Sequence, residues 1–234
     1  MLFLYGAILF ALTHWFFVHR NVRIGMVLTK PLVMLCLLGW LAHASRAGFG
    51  RDAAVIAFSG WFFLALLFGL MGDLFLLGPE RTFLPGLISF LIGHLCYIAG
   101  FRPLLPGEGR LLPGVLALVF IATASGLIFR KLAAGMRAAG NGDMLIPAGI
   151  YSIVISLMLF MAATRGLHPG WKPWPCALAG AGAFLFYLSD LLNAWSRFVG
   201  PIQLPRLKIM ISYHLAQIFL TAAAVIQVSQ LAAS

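Results

Sequence analysis

Two acidic residues stand where acidic residues are expensive. Asp73 lies in LLFGLMGDLFLLG and Asp190 in AFLFYLSDLLNAW, runs that are otherwise almost wholly apolar. A carboxylate at the centre of a bilayer costs about 2.5–3.5 kcal/mol on insertion scales, so such residues usually face a polar cavity and have a task there. A pair of them can relay protons or share acid and base work; the plainer alternative is a helix-to-helix hydrogen bond. The other four acidic residues, Asp52, Glu80, Glu108 and Asp143, fall between apolar runs and read as solvated surface.

Further polar groups sit inside apolar runs: Lys30 just before Pro31, His94, Tyr97, Tyr151, Tyr187, Ser189, Tyr213, His214 and Gln217. Lys30 has three readings: it snorkels to the interface, pairs with a buried aspartate, or holds a substrate phosphate. At helical spacing, Tyr187, Asp190 and Ala194 share one face, as do His94 and Tyr97. Gly69, Gly72 and Gly78 flank Asp73 with small residues, which lets another helix approach closely. His14, His43 and His168 lie near segment ends or in a loop and suggest no role.

The elements that must position these groups follow from composition. Of 234 residues, 62% are hydrophobic and 9% charged, with a mean hydropathy of +1.00. Soluble domains carry about 45–50% apolar and about 25% charged residues, so a water-soluble enzyme, a disordered chain and a disulfide scaffold are all excluded. The net charge of +10 comes from 16 Lys and Arg against six acidic residues. It reads as topology signal and lipid-headgroup contact, with no basic aromatic cluster that would imply nucleic acid. Cys36, Cys96 and Cys176 are odd in number and read as small core residues.

Splitting the chain at charged and Pro/Gly-rich stretches leaves eight apolar segments: Leu2 to Val18, Ile24 to Ala44, Ala53 to Leu77, Phe83 to Phe101, Leu111 to Phe129, Met144 to Ala163, Cys176 to Trp195 and Leu207 to Leu231. Each is about 17–25 residues, enough to cross a hydrocarbon core as a helix. The expected fold is an all-α integral membrane protein, one domain over residues 1–234 with a bundle of eight transmembrane helices. The first segment reads as a retained span. Lys and Arg are more numerous after odd-numbered segments, which puts those loops in the cytoplasm and both termini outside.

Depth groups the polar residues. At a rise of about 1.5 Å per residue from the segment ends on the odd-loop side, Asp73 lies about 6 Å deep, Asp190 about 8, Lys30 about 9, Tyr151 and His214 about 11 and His94 about 17. One cavity opening toward one leaflet would produce that agreement. A faint repeat is also visible: Asp73 and Asp190 sit on the third segment of each half, and GHLCYI around His94 resembles YHLAQI around His214. Two four-helix halves related by a parallel repeat would account for it.

The pattern resembles the YhhN family of membrane proteins, which includes lysoplasmalogenases. Matching pieces are Lys30-Pro31, Gly72-Asp73 with Phe75-Leu76, and Gly86, Phe90, Gly93-His94 and Tyr97. They continue with Pro147, Tyr151, Met158, Phe186, Ser189-Asp190, Phe198, Tyr213 and Gln217. They run in order along nearly the whole chain. Where the family often has a second aromatic after the last-helix tyrosine, this chain has His214.

The resemblance implies an eight-helix enzyme that hydrolyses the vinyl ether bond of a lysoplasmalogen, giving a fatty aldehyde and a glycerophospho-alcohol. It implies Asp73 and Asp190 as the catalytic pair, with Lys30, His94, Tyr97, Tyr151, Ser189, Tyr213 and Gln217 around the substrate. The chemistry fits two carboxyls with no metal and no cofactor, one as acid and the other as base or charge stabiliser. The partner is a lysophospholipid in the membrane, which in a bacterial host is the inner membrane. A hydrolase of another lysolipid and a proton-coupled transporter remain open. So does a metal hydrolase around Asp73, His94, Asp190 and His214, although no His-x-x-x-His occurs. An intramembrane aspartyl protease fits less well, since Asp73 lies in LMGD without the Gly-x-Gly-Asp spacing.

Overall fold

A computed structural model describes residues 1–46, 53–102 and 110–231. Arg51, Asp52 and Glu108, three of the expected loop charges, lie outside the described residues. Apart from three short 3-10 turns, the described elements are eight helices: α1 (Leu2–His19), α2 (Arg23–Ser45), α3 (Ala53–Leu77), α4 (Phe83–Gly100), α5 (Leu111–Ala138), α6 (Leu145–Ala163), α7 (Pro173–Phe198) and α8 (Pro205–Leu231). All eight are long and apolar enough to span a membrane. The protein is therefore an all-α integral membrane bundle, as its composition requires.

The bounds follow the apolar segments closely except at α5, which continues past Phe129 to Ala138. The charges of Arg130, Lys131 and Arg137 end the apolar run, but these residues with Leu132, Ala133 and Met136 are strong helix formers and nothing stops the helix. The stop comes at Gly140, whose φ of 74° closes α5 with bonds from Gly140 N to Arg137 O and from Asn141 N to Met136 O. Asn21, at φ 54°, ends α1 in the same way.

The most extensive helix pairs are α7 with α8 and α3 with α4. Gly182 makes the first possible, because a Cβ there would lie 2.9 Å from the Leu220 side chain and 3.1 Å from the Ala216 carbonyl oxygen. Helix α8 also packs on α1, α2 and α3, whereas α5 leans mainly on α6 and α7 and exposes Leu112, Leu116, Val119 and Phe120 to the surroundings. At the α3–α4 turn the Thr82 hydroxyl donates to the carbonyl oxygens of Phe75 and Pro79, which fixes how α4 leaves α3.

Candidate active site

Asp73 sits one turn before the end of α3 and is 1% exposed. Lys30 reaches it from α2, with Nζ 3.0 Å from Oδ1. Pro31, which follows Lys30 inside α2, has no N–H and removes one rung of the helix at this depth. Of the three readings of Lys30, the pairing with a buried aspartate is the one the structure adopts. From α8 the Tyr213 hydroxyl donates to Asp73 Oδ2 at 2.9 Å. Behind it a directional chain continues: Gln217 Nε2 donates to Tyr213 Oη at 3.5 Å, and Tyr97 on α4 donates to Gln217 Oε1 at 2.6 Å.

Asp190, on α7, has a second and separate set of partners. The Tyr151 hydroxyl on α6 donates to Oδ2 at 2.6 Å, and His94 Nε2 on α4 lies 3.3 Å from the same oxygen and 3.1 Å from Tyr151 Oη. The other ring nitrogen of His94 faces Met158 Sδ at 3.2 Å. Each aspartate is thus met by the preceding helix of its own half and by the last helix of the other half. The sequence likeness between His94 and His214 does not extend to their partners, because Tyr213 fills the place on Asp73 that His94 fills on Asp190. His214 instead accepts from Trp15 Nε1 at 3.0 Å and packs edge-on against His14. The four residues considered as metal ligands therefore divide between separate clusters, and among the described residues no three His, Cys, Asp or Glu side chains gather as an ion site.

Between the two clusters stand Phe90 and Phe186, with ring centroids 6.3 Å apart and each packed edge-on against Tyr213. Phe186 also packs on His94 at 4.6 Å. Beside these rings opens a cavity of about 410 Å³, with walls from α2 to α8. Lys30, Asp73, Tyr151, Ser189, Asp190 and Tyr213 line it, and the rest of its wall is mostly Leu, Ile, Phe and Met. His94, Tyr97 and Gln217 do not line it; they stand one layer back and hold the residues that do. Ser189 lines it while donating its hydroxyl to the Ile209 carbonyl at 3.2 Å. The lining residues gather in the half of the bundle where α3, α5 and α7 end and α4, α6 and α8 begin, reaching the middle of α6 at Ile155.

The YhhN family pattern matches residues 25–224, a stretch holding every residue of both clusters. The chain belongs to the YhhN family. The YhhN protein is 30% identical to lysoplasmalogenase TMEM86B of Homo sapiens over 199 residues, 84% of this chain and 74% of that one. It is 33% identical to lysoplasmalogenase TMEM86B of Sus scrofa over 196 residues, 83% and 73% of the two chains. With lysoplasmalogenase TMEM86A of Bos taurus it shares 31% identity over 202 residues, 85% and 77%. No solved structure matches it significantly.

Two lining residues of this YhhN protein escaped the sequence reading. Neither Asn193 nor Arg197 is marked by its residue type as a site residue, yet both face the cavity with Asp190. Their spacing of three and seven residues from Asp190 was the available signal. At the opposite end of the bundle, Arg165 is fully buried, with Nη2 donating to His168 Nε2 at 3.0 Å. Burial draws the Arg165 guanidinium down to about 10, and burial with the positive charges of Arg165 and Arg110 lowers His168 below the usual imidazole value.

Proposed function

We propose that this protein is a lysoplasmalogenase, hydrolysing the vinyl ether at the first glycerol carbon of a lysoplasmalogen to a fatty aldehyde and a glycerophospho-alcohol. The observation that carries the reading is that two carboxyls, each braced by a phenol, open onto one cavity whose remaining wall is mostly apolar. The lysoplasmalogenases at 30–33% identity supply the reaction class. A cavity confined to one half of the bundle suits a lipid substrate taken from one leaflet better than it suits a transport path.

A vinyl ether is cleaved by protonating its outer carbon, which leaves an oxocarbenium-like centre at the carbon bearing oxygen. In our reading Asp190 is the acid. Its Oδ2 is occupied by Tyr151 and His94, so Oδ1 is the oxygen that presents the proton to the cavity. Water then adds to the cationic carbon and passes its proton to Asp73, whose carboxylate is fixed by Lys30 and Tyr213. The hemiacetal then collapses: Asp73 returns its proton to the departing glycerol oxygen, the hemiacetal hydroxyl gives its proton to Asp190, and the new carbonyl is the aldehyde, with both carboxyls back in their starting states. Fixed charges and dipoles in a mostly apolar site stabilise the cationic intermediate at little reorganisation cost. Lys30 serves as the partner of Asp73, which leaves it unsuited to hold a phosphate. Tyr97, Gln217 and His94 act as positioning residues, and Ser189 and Tyr151 as part of the substrate wall.

The test is to offer the purified protein a vinyl-ether lysolipid and its ester analogue and assay for fatty aldehyde. Aldehyde from the vinyl ether alone, lost in Asp190→Asn, is the expected result. Folded protein that releases none would overturn the reading.

A further inference from the structure

A lysophospholipid carries a phosphate that a cation on the cavity wall would hold, and the cluster that first suggests one is not placed to supply it. Lys30 Nζ already lies 3.0 Å from Asp73 Oδ1, with only 6% of its side chain exposed. A phosphate bound there would bring a second anion against that carboxylate in a site with little water, which raises the energy of both.

Arg197 is placed differently. It lies in the last turn of α7 and lines the cavity at its interfacial end. Its guanidinium carbon sits 3.9 Å from the centroid of the Phe83 ring, which also lines the cavity, so the ring holds the guanidinium plane and leaves its edge donors to face outward. One of those donors, Nη2, meets Glu80 Oε1 at 3.1 Å. That pair is weakly held, since Glu80 is 87% exposed and such surface pairs contribute about 0–1 kcal/mol. A guanidinium presents five N–H donors and binds phosphate in a forked geometry that a lysine lacks.

The spacing fits the substrate. Arg197 follows Asp190 by seven residues, two turns on the same face, a rise of about 10 Å. In a lysoplasmalogen roughly seven bonds separate phosphorus from the outer vinyl carbon, about 9 Å when extended with bonds of about 1.5 Å. Asn193 lines the cavity between the two residues, about 4.5 Å along α7 from Asp190. The tail also has an exit, because Leu84, Ile88, Ile146 and Ile150 both line the cavity and stand exposed on the outside of α4 and α6. The cavity side is therefore open to the acyl-chain region.

We propose that Arg197 is the phosphate-binding residue of a lysophospholipid site, with Glu80 the counter-ion that the bound phosphodiester displaces. The proposal rests on the lipid-hydrolase reading for its substrate class, but it can be tested by binding alone. The probes are two non-hydrolysable saturated ether lipids of equal tail length, 1-O-hexadecyl-glycerophosphoethanolamine and the phosphate-free 1-O-hexadecylglycerol, titrated against protein in detergent.

Wild type is expected to bind the phosphate lipid at least about tenfold more tightly. Arg197→Gln should reduce that ratio to near one while leaving the affinity for the phosphate-free lipid unchanged. Glu80→Gln, which removes the competitor, should raise the ratio. A ratio untouched by Arg197→Gln, or no discrimination by wild type, overturns the proposal. Inorganic phosphate binding as tightly as the phosphate lipid would assign the site to a free anion and overturn it too. If the ratio behaves as expected and no aldehyde is released from a vinyl ether, the phosphate site stands and the hydrolase reading falls.

Discussion

Lys30 and Asp73 form an ion pair at 3.0 Å in which neither side chain has water to fall back on, being 6% and 1% exposed. Asp190, at 23%, is the wetter carboxyl, and among the described residues its partners are Tyr151 and His94, with no lysine ion pair. The two aspartates found at matching places in the sequence therefore stand in different surroundings. Both line the cavity, but Asp73 is held by a cation and Asp190 by a phenol and an imidazole.

Breaking the ion pair from one side should be costly. Lys30→Met leaves a buried carboxylate without its cation, and removing one partner of such a pair destabilises by about 3–5 kcal/mol. Lys30→Met combined with Asp73→Leu should recover much of that loss while remaining inactive. Thermal unfolding in detergent checks it; a double variant less stable than the single would contradict the pairing.

Asp190→Asn keeps size and polarity but cannot deliver a proton. A positioned acid or base contributes about 10²–10⁴-fold, so kcat should fall by that range with little change in unfolding temperature. Tyr151→Phe should lower kcat less, about tenfold, since the carboxyl survives and only its 2.6 Å hydrogen bond is lost. Equal losses in the two variants would move the acid role from Asp190 to Tyr151.

The chain from Tyr97 through Gln217 to Tyr213 predicts an effect at a distance. Tyr97→Phe leaves Gln217 Oε1 buried without its donor, a loss of about 1–3 kcal/mol. We expect lower stability together with a kcat loss at unchanged KM, because Tyr213 touches the cavity and Tyr97 does not. A rise in KM alone would place Tyr97 in the substrate wall instead.

Acid should weaken the far end of the bundle. His168 accepts from Arg165, which requires an unprotonated Nε2, and its folded-state value lies below the ordinary 6.5. The unfolded chain therefore takes up the proton first, so stability is full above about pH 6.5 and declines as pH falls toward the folded value. Unfolding temperature measured from pH 8 to pH 5 should drop in the wild type and less in His168→Gln. A drop of the same size in both would remove His168 as its cause.

The eight spans, the shared depth of the polar residues and the family are legible in the order of the amino acids. A bilayer offers no hydrogen bonds to the backbone, so an apolar run of sufficient length must close its own as a helix. Rise per residue then sets how deep each polar group lies. Even so, the reach of α5 to Ala138 was hidden, because charge ends an apolar run without ending a helix. Which groups meet is not legible there: the packed bundle joins Lys30 with Asp73, Tyr151 and His94 with Asp190, and His214 with Trp15. Partners across a bundle depend on the rotation of each helix about its axis and on which helices become neighbours. Both are settled by packing of the whole, as where Gly182 lets α7 close on α8, and no single segment encodes them.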